Sequence, residues 1–291
     1  MSRREDKYMI CESINIHEDM DKIKSEILRF DGAIICDITG QTRNDIIKYC
    51  FENSKRIYIS PKISDIIIRG GTDINLFDSP LLLCRNSGLS FEQRLFKRIF
   101  DIVVSVIGLI ILSPFMLIIA AAIKIDDGGS IIYKQKRLTI NGKEFFVYKF
   151  RSMIPNAEKN GVPQLATGSD SRITRVGKFL RKCRLDELPQ LFNIIKGDMS
   201  VVGPRPERPE LTEKYEREMP EFKFRLKVKA GLTGYAQVTG VYDTTPYDKL
   251  KMDLMYIERY SMVMDLRIIL MTIKTMISPG EMNSEADKEK Y

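Results

Sequence analysis

The chain is poor in the side chains that most often carry chemistry at neutral pH. It has a single histidine, His17. Histidine triads and His-rich zinc sites are therefore excluded, and any acid–base or metal chemistry falls to carboxylates. Its five cysteines, Cys11, Cys36, Cys50, Cys84 and Cys183, form no C-x-x-C pair. An odd, scattered set argues against a disulfide framework and for a reducing compartment. Residues 1–90 hold no G-x-G-x-x-G and no P-loop, so the usual nucleotide cradles are missing there. The opening MSRREDKYMICE lacks the apolar core of a signal peptide.

What the chain does have is one long uncharged run. Ile102–Ile123 reads IVVSVIGLIILSPFMLIIAAAI, and basic residues flank it: Arg94, Lys97 and Arg98 before, Lys124, Lys134, Lys136 and Arg137 after. A spanning helix needs about 20 apolar residues, so the run is long enough to sit in a bilayer. Ser113-Pro114 interrupts it near the middle. Proline removes a helical hydrogen bond and clashes with the preceding turn. At about 1.5 Å per residue, neither half alone crosses a core of about 30 Å. Positive residues mark the cytoplasmic side, and both flanks are positive. The expectation is a re-entrant helix–break–helix turning at Ser113 and Pro114, with both flanks in the cytoplasm; a kinked spanning helix and a buried soluble helix are the alternatives.

The rest falls into two parts. A length of 291 residues suggests about two domains. The net charge of +7 draws anionic partners, and beside an apolar segment the membrane surface is the first of these. Residues 1–90 read as a small α/β domain. Tyr8–Ile16, Ala33–Ile38, Arg56–Ser60 and Leu81–Cys84 read as strands, and His17–Phe30 and Gln41–Asn53 as helices, which predicts a mostly parallel, Rossmann-like sheet. Residues 91–128 hold the approach and the apolar helix, 129–278 a mainly helical second domain, and 279–291 a polar tail. In the second domain Ser130–Gln135 and Glu144–Tyr148 alternate as a hairpin about Asn141-Gly142. Met153–Asp170 reads as a loop, and Ile173–Lys182, Leu188–Ile195 and Leu211–Lys227 as helices. Tyr247–Ile277 reads as one long amphipathic helix, too charged to span; its apolar face suits the lipid interface or the core.

Four stretches carry candidate chemistry. In Arg181–Gln190, Asp186 stands before a predicted helix with Pro189 in its first turn. The helix end and Arg181, Lys182 and Arg184 are expected to hold its carboxylate ionised. It can bind Mg²⁺, attack phosphorus, or cap the helix. Neighbouring helical residues diverge by about 100°, so Asp186 and Glu187 have different tasks. Lys149 and Arg151 bracket Phe150 and suit a phosphate, or a solvated basic surface. Arg205 and Arg208 lie among Pro204, Pro206 and Pro209, as a stiff diphosphate clamp or a plain connector. Lys229–Val238 holds Gly231, Gly234, Tyr235 and Gln237, which read a base or sugar, or simply turn the chain.

Together FKRIFDIVVSVIGLIILSPF, VYKFRSM, RVGKFLRK, LDELPQLFNIIKGDMSVVGPRPERPE, GLTGYAQV and DLMYIERYS resemble the bacterial sugar transferase family, over about Leu95 to Ile277. These are monotopic polyprenyl-phosphate phosphoglycosyl transferases of exopolysaccharide and capsule assembly. The resemblance implies transfer of a sugar-1-phosphate from a UDP-sugar to undecaprenyl phosphate, with UMP released, on the cytoplasmic face of the membrane. It makes Asp186 the nucleophile and Glu187 its dyad partner, with Mg²⁺ on the diphosphate and Asp186 as the metal-side carboxylate. Lys149, Arg151, Arg181, Arg205, Arg208, Lys229, Gln237 and Asp253 become the substrate-binding set. Downstream glycosyltransferases are implied partners, the N-terminal domain is a plausible dimer contact, and nucleic acid is not an expected partner. Ala230 stands where the family usually has proline, Tyr235 where tryptophan is common and Thr239 where asparagine is common; Cys183 and Arg184 replace small hydroxyl residues. The dyad is untouched. The sugar stays open among glucose, galactose and N-acetylated hexosamines. An inactive assembly scaffold and a basic nucleic-acid binder are the rival readings.

Overall fold

A computed structural model describes residues 9–38, 40–76, 78–84, 88–154, 172–240 and 244–277. The chain divides into two units, 1–62 and 63–291. Most of the loop read at Met153–Asp170, the polar tail 279–291 and Tyr8 lie outside the described residues.

The first unit is one βαβ step with a helix before it. Helix α1 (Met20–Arg29) buries Ile23 and Ile27, with Asp21 early and Arg29 late, matching the helix dipole. Strand β1 (Gly32–Ile35), helix α2 (Gly40–Glu52) and strand β2 (Arg56–Ile59) follow. The strands pair in parallel, Gly32 with Arg56 through Ile35 with Ile59. Ile23, Ile27, Ile35, Ile46 and Cys50 form the core. Residues 9–15 are not a strand, so the described sheet has two strands and the expected Rossmann-like sheet is reduced to this step.

The N-terminal domain expected over 1–90 is shorter than that. Helix α3 (Ile63–Arg69) buries Ile66 among residues of the second unit, and Leu89 joins the same cluster. Strands β3 (Thr72–Leu76) and β4 (Ser79–Leu83) form an antiparallel hairpin, not further parallel strands.

Helix α4 (Phe91–Asp127) is a single 37-residue element, which corrects the expected helix–break–helix: Ser113 and Pro114 lie inside it. The reason is local. Proline at 114 has no N–H to give, and the Ser113 hydroxyl donates instead to Ile110 O at 3.0 Å. Ser90 and Gln93 form a capping box at its start, and Gly128 ends it in the left-handed region. One stripe of α4 lies against the second unit along its length. Lys97, Asp101 and Ser105 are buried early, Leu109 and Leu112 pack midway, and Ile119 and Ile123 are buried late. The opposite face exposes Ile107, Ile110, Ile111, Phe115, Leu117 and Ile118. The helix is long and apolar enough to cross a membrane, and only 11% of its most apolar 18-residue window is buried.

Strands β5 (Ile132–Leu138) and β6 (Glu144–Phe150) form the predicted hairpin. Asn141 and Gly142 turn it with φ of 58° and 72°, the left-handed values that this dipeptide accepts. Helix α5 (Arg175–Lys182), a 3-10 turn (Leu185–Glu187) and helix α6 (Gln190–Lys196) lead to strand β7 (Ser200–Val202). Helix α7 (Pro209–Glu218) and a 3-10 segment (Pro220–Lys227) precede strand β8 (Gly231–Thr233), which pairs in parallel with β7. After α8 (Tyr235–Thr239), the stretch expected as one long helix is two, α9 (Pro246–Glu258) and α10 (Met262–Ile277). Val147, Ile194, Met199, Val202, Leu250, Leu254 and Ile268 make the core beneath them. Helix α10 divides its faces: Asp265 and Ile268 are buried, while Val263, Leu266, Leu270 and Ile273 are exposed. The core destination foreseen for an apolar face there is taken by Ile268, and the other face is left exposed.

Candidate active site

Asp186 and Glu187 occupy the 3-10 turn between α5 and α6. Arg184 leads into it with φ 55°, a conformation that costs a non-glycine residue about 1 kcal/mol. The helix that follows is capped at Pro189, so Asp186 is not its N-cap. Strand β6 brings Lys149 to the turn. Asn193 of α6 fixes that strand: its amide donates to Phe146 O at 2.8 Å, and Tyr148 N donates to its Oδ1 at 2.9 Å.

Two cations converge on one carboxylate oxygen. Lys149 Nζ and Arg205 Nη2 each lie 3.0 Å from Glu187 Oε1. Burial alone would push the Glu187 carboxyl up, but the charges of Arg205 and Lys149 and their hydrogen bonds outweigh it and bring it down to about 2. The Glu187 side chain is 13% exposed and Arg205 45%, so the cluster opens on the arginine side. Lys149 feels the reverse: burial pushes its ammonium down, Arg205 adds to this, and Glu187 opposes it.

Asp186 is held differently. Among the described residues it has no side-chain hydrogen bond or ion pair. Burial pushes its carboxyl above the ordinary range, and Glu187 adds to that; Lys149, Arg181 and Arg205 pull the other way without cancelling it. Desolvation exceeds their attraction, so the neighbouring cations do not bring this carboxyl below its ordinary value.

The remaining sequence candidates separate. Arg181 ends α5 within electrostatic reach of Asp186. Arg151 is buried and paired with Asp127 at the end of α4, where it fastens that helix. Arg208 starts α7, and its charge is felt at Arg137. Lys229 lies with Arg98 beside Gly197 at the far end of α6. Gln237 donates to Leu232 O at 3.4 Å, and its Oε1 is buried without a partner. Asp253 is 1% exposed and takes Arg225 Nε at 3.0 Å and Nη2 at 2.8 Å. The dyad therefore gathers Lys149, Arg181 and Arg205, and leaves Arg151, Lys229, Gln237 and Asp253 elsewhere.

Sequence reading missed Arg225, Arg137 and the buried base of α4. There Lys97 meets Asp265 at 2.6 Å, Arg98 donates to Ile194 O and Ile195 O at 2.6 and 2.7 Å, and Asp101 accepts from Ser200 Oγ and Val201 N at 3.0 and 2.9 Å. The i, i+4 spacing of Lys97 and Asp101 was the available signal, since it puts both on one helical face.

The donor set also bears on a cation. Among the described residues no three His, Cys, Asp or Glu side chains gather as a metal cage. Glu187 is committed to two cations, which leaves Asp186. Mg²⁺ keeps several waters and takes one or two carboxylates together with substrate phosphates. One unpaired carboxylate fits that mode, and Asp186 is the residue that would hold the ion.

The match to known proteins covers this same part of the chain. The family model "Bacterial sugar transferase" matches residues 92–279. A UDP-N-acetylgalactosamine-undecaprenyl-phosphate N-acetylgalactosaminephosphotransferase of Aeromonas hydrophila is 42% identical over 185 residues, 62% of this chain and 44% of that protein. A UDP-glucose:undecaprenyl-phosphate glucose-1-phosphate transferase of Klebsiella pneumoniae is 43% identical over 211 residues, 71% of this chain and 43% of that protein. The chain thus spans less than half the length of these two relatives. The exopolysaccharide production protein PSS of Rhizobium leguminosarum bv. phaseoli is 40% identical over 194 residues, 64% of this chain and 96% of that protein. With its dyad turn, its arginine segment and its apolar helix all inside the matched region, the chain belongs to the bacterial sugar transferase family.

Proposed function

We propose that the protein transfers a sugar-1-phosphate from a UDP-sugar to undecaprenyl phosphate, an early membrane step of exopolysaccharide or capsule synthesis. The observation that carries this is the asymmetry of the dyad. Glu187 is neutralised by Lys149 and Arg205, while Asp186 beside it has no bonded partner and a raised carboxyl pKa. A carboxylate of raised basicity next to fixed cations suits nucleophilic attack on phosphorus.

In this reading Asp186 Oδ attacks the β-phosphate of the UDP-sugar. The bond between the β-phosphorus and the bridging oxygen breaks, and UMP leaves with that oxygen. The sugar phosphate is now an acyl phosphate on Asp186. A phosphate oxygen of undecaprenyl phosphate attacks the same phosphorus, the acyl phosphate bond breaks, and Asp186 returns as a carboxylate. Lys149 and Arg205 stabilise the charge that develops on the phosphoryl oxygens, and Glu187 keeps both cations in place. Arg181 supplies further positive charge on the Asp186 side. A bound Mg²⁺ neutralises the diphosphate.

Support for a one-sided topology comes from α4. Both ends are fastened to one domain: Arg98 to the carbonyls that end α6, and Asp127 to Arg151, which follows β6. Two ends fastened to one domain support entry into the bilayer from one side, with the exposed face of Ile107, Ile110, Ile111, Phe115, Leu117 and Ile118 in lipid and both flanks in the cytoplasm. The acceptor phosphate then reaches Asp186 in the headgroup layer. Products pass to downstream glycosyltransferases, and the N-terminal unit is the candidate contact for a homodimer.

The test is UMP release across a panel of UDP-sugars with undecaprenyl phosphate and Mg²⁺, with labelled sugar phosphate retained on the protein. Retention in wild type and its loss in Asp186→Asn is the expected result; normal transfer by the Asn variant overturns the nucleophile. Cysteine labelling before Phe96 and after Lys124 in intact cells tests the topology. Labelling of the two flanks from opposite faces overturns it.

A further inference from the structure

The segment that carries Arg205 cannot hold itself in place. Pro204, Pro206 and Pro209 have no N–H, so residues 204–209 lack the donors of an ordinary strand or turn. What holds the segment is its carbonyls, four in a row, taken by three elements: β8, the 3-10 segment and β5. Pro204 O accepts from Gly231 N at 2.9 Å, Arg205 O from Arg225 Nη2 at 2.9 Å, Pro206 O from Arg137 Nη1 at 3.0 Å, and Glu207 O from Leu138 N at 3.1 Å. Two of the four donors are arginine side chains, and they face the same residue from both sides: Arg137 Nη1 and Arg225 Nη1 each lie 3.7 Å from a Glu207 carboxylate oxygen.

Arg225 is the deeper of the two. It is 5% exposed, its Nε and Nη2 both meet Asp253 Oδ2, and its guanidinium lies 4.9 Å from the centre of the Phe222 ring. Every direction in which it can move is closed by a bond or by packing. Asp253, expected in the substrate set, is sealed behind it. Nothing but Arg225 and the Arg205 peptide stands between Asp253 and the dyad along this chain of bonds: Asp253 to Arg225, Arg225 to Arg205 O, Arg205 to Glu187.

We propose that Arg225 and Asp253 are positioning residues that fix the Arg205 peptide, and through it set the Arg205 guanidinium against Glu187. This rests on the transferase reading for its kinetic consequence, though not for its geometry. A guanidinium on a 45% exposed side chain would otherwise sample many rotamers. Clamping its backbone limits where it can reach, and a misplacement of about 1 Å in a positioned catalytic group can cost about 100-fold.

Truncating Arg225 alone leaves Asp253 buried and unpaired and risks unfolding. The informative protein is therefore the joint replacement Arg225→Met with Asp253→Leu, since an apolar pair commonly substitutes for a buried ion pair. It is compared with wild type, with Arg205→Ala, and with all three changes together. The full-length proteins are assayed in detergent for UMP release, with thermal melting alongside. The expected result is a folded joint variant with kcat down about 10- to 100-fold, little change in KM for the UDP-sugar, and no further loss when the joint change is made in the Arg205→Ala background. Additive losses, or a rise in KM with kcat kept, overturn the proposal and return Asp253 to the substrate. Wild type releasing no UMP from any UDP-sugar strikes the transferase reading instead. Wild type and the joint variant then decide the proposal without turnover, by the Arg205 guanidinium followed by nitrogen-15 NMR and assigned by its absence in Arg205→Ala. Its side-chain order must fall in the joint variant; unchanged order overturns the clamp.

Discussion

At the base of α4, Lys97 meets Asp265 at 2.6 Å; at the end of β6, Lys149 meets Glu187 at 3.0 Å. The first pair is 7% and 0% exposed, and the second oxygen of Asp265 is occupied as well, by the Tyr256 hydroxyl at 2.8 Å. Lys97 lies 5.4 Å from the centre of the Tyr260 ring. Charges and lone pairs are matched and water is shut out. The second cluster has two cations on Glu187 and one more carboxylate, Asp186, that neither of them binds. The same chemical parts thus serve two ends. A matched, closed set fixes the apolar helix α4 to the domain, and a set with one carboxylate in excess, open at Arg205, is the one proposed to hold the reactive group.

The largest effect that would break this comparison is on the excess carboxylate. Asp186→Asn is expected to lower sugar-phosphate transfer on the order of 10⁶-fold if, as proposed, it is the covalent nucleophile. Its melting temperature is expected to stay level or rise, because the wild-type carboxylate is half-buried without a bonded partner. A large loss of stability on melting would mean that Asp186 is a structural partner like Asp265.

The matched pair should answer in the opposite way. Lys97→Met leaves Asp265 buried and unpaired and is expected to cost about 3–5 kcal/mol in stability, read as a lower melting temperature in detergent. Adding Asp265→Leu to it should recover most of the loss, with Tyr256 left to donate to Val202 O at 3.2 Å. Failure of the second change to recover stability would assign Lys97 a role beyond pairing.

Much of this contrast was legible in the residues. The hairpin about Asn141-Gly142 and the helices α1, α2 and α5 follow from local pattern, and motif order pointed to Asp186, Glu187, Lys149, Arg181 and Arg205, which the fold brings together. The failures share a cause. Pro114 was read as a break because its lost hydrogen bond is visible in sequence, whereas the replacement from Ser113 is a matter of rotamer. Residues 63–89 were grouped with the first unit because strand-like runs do not reveal their partners; Ile66 and Leu89 pack with residues far along the chain. Arg151 and Asp253 were read as ligands because charge in a motif looks alike whether it meets substrate or a buried partner. Asp127 lies 24 residues before Arg151, and Arg225 lies 28 before Asp253. Such pairings are long-range facts, and local spacing carries no trace of them.

Glu187 sharpens the comparison by pH. Its carboxyl lies at about 2 in the folded protein against 4.5 as its ordinary value, so the folded state holds the charged form more tightly than the unfolded chain does. The stability it contributes is complete above about pH 4.5 and is lost as pH falls through about 2, and the size of the shift puts it on the order of 3 kcal/mol. Glu187→Gln should therefore melt lower than wild type at neutral pH, and the gap should close on acidification through that window. It should also slow transfer about 10²-fold, by releasing Lys149 and Arg205. A gap that persists unchanged at the acid end would mean that packing, not charge, is what Glu187 supplies.

The smallest effect is the position of the acid limb in the rate. In the proposed reading the attacking form of Asp186 is the carboxylate, so kcat/KM is expected to rise with pH as that group ionises. Burial raises its pKa and Glu187 raises it further, so the limb belongs above the ordinary carboxylate range and not below it. Glu187 stays ionised across the same interval and contributes no limb of its own. Neutralising Glu187 removes one of the two terms that raise Asp186, but it also frees Lys149 and Arg205 to turn toward Asp186. Both changes act in one direction. The residual activity of Glu187→Gln should show an acid limb shifted to lower pH than wild type, measured as the pH profile of UMP release. A limb that stays fixed would show that the two carboxylates are independent, and that the cations answer only to Glu187.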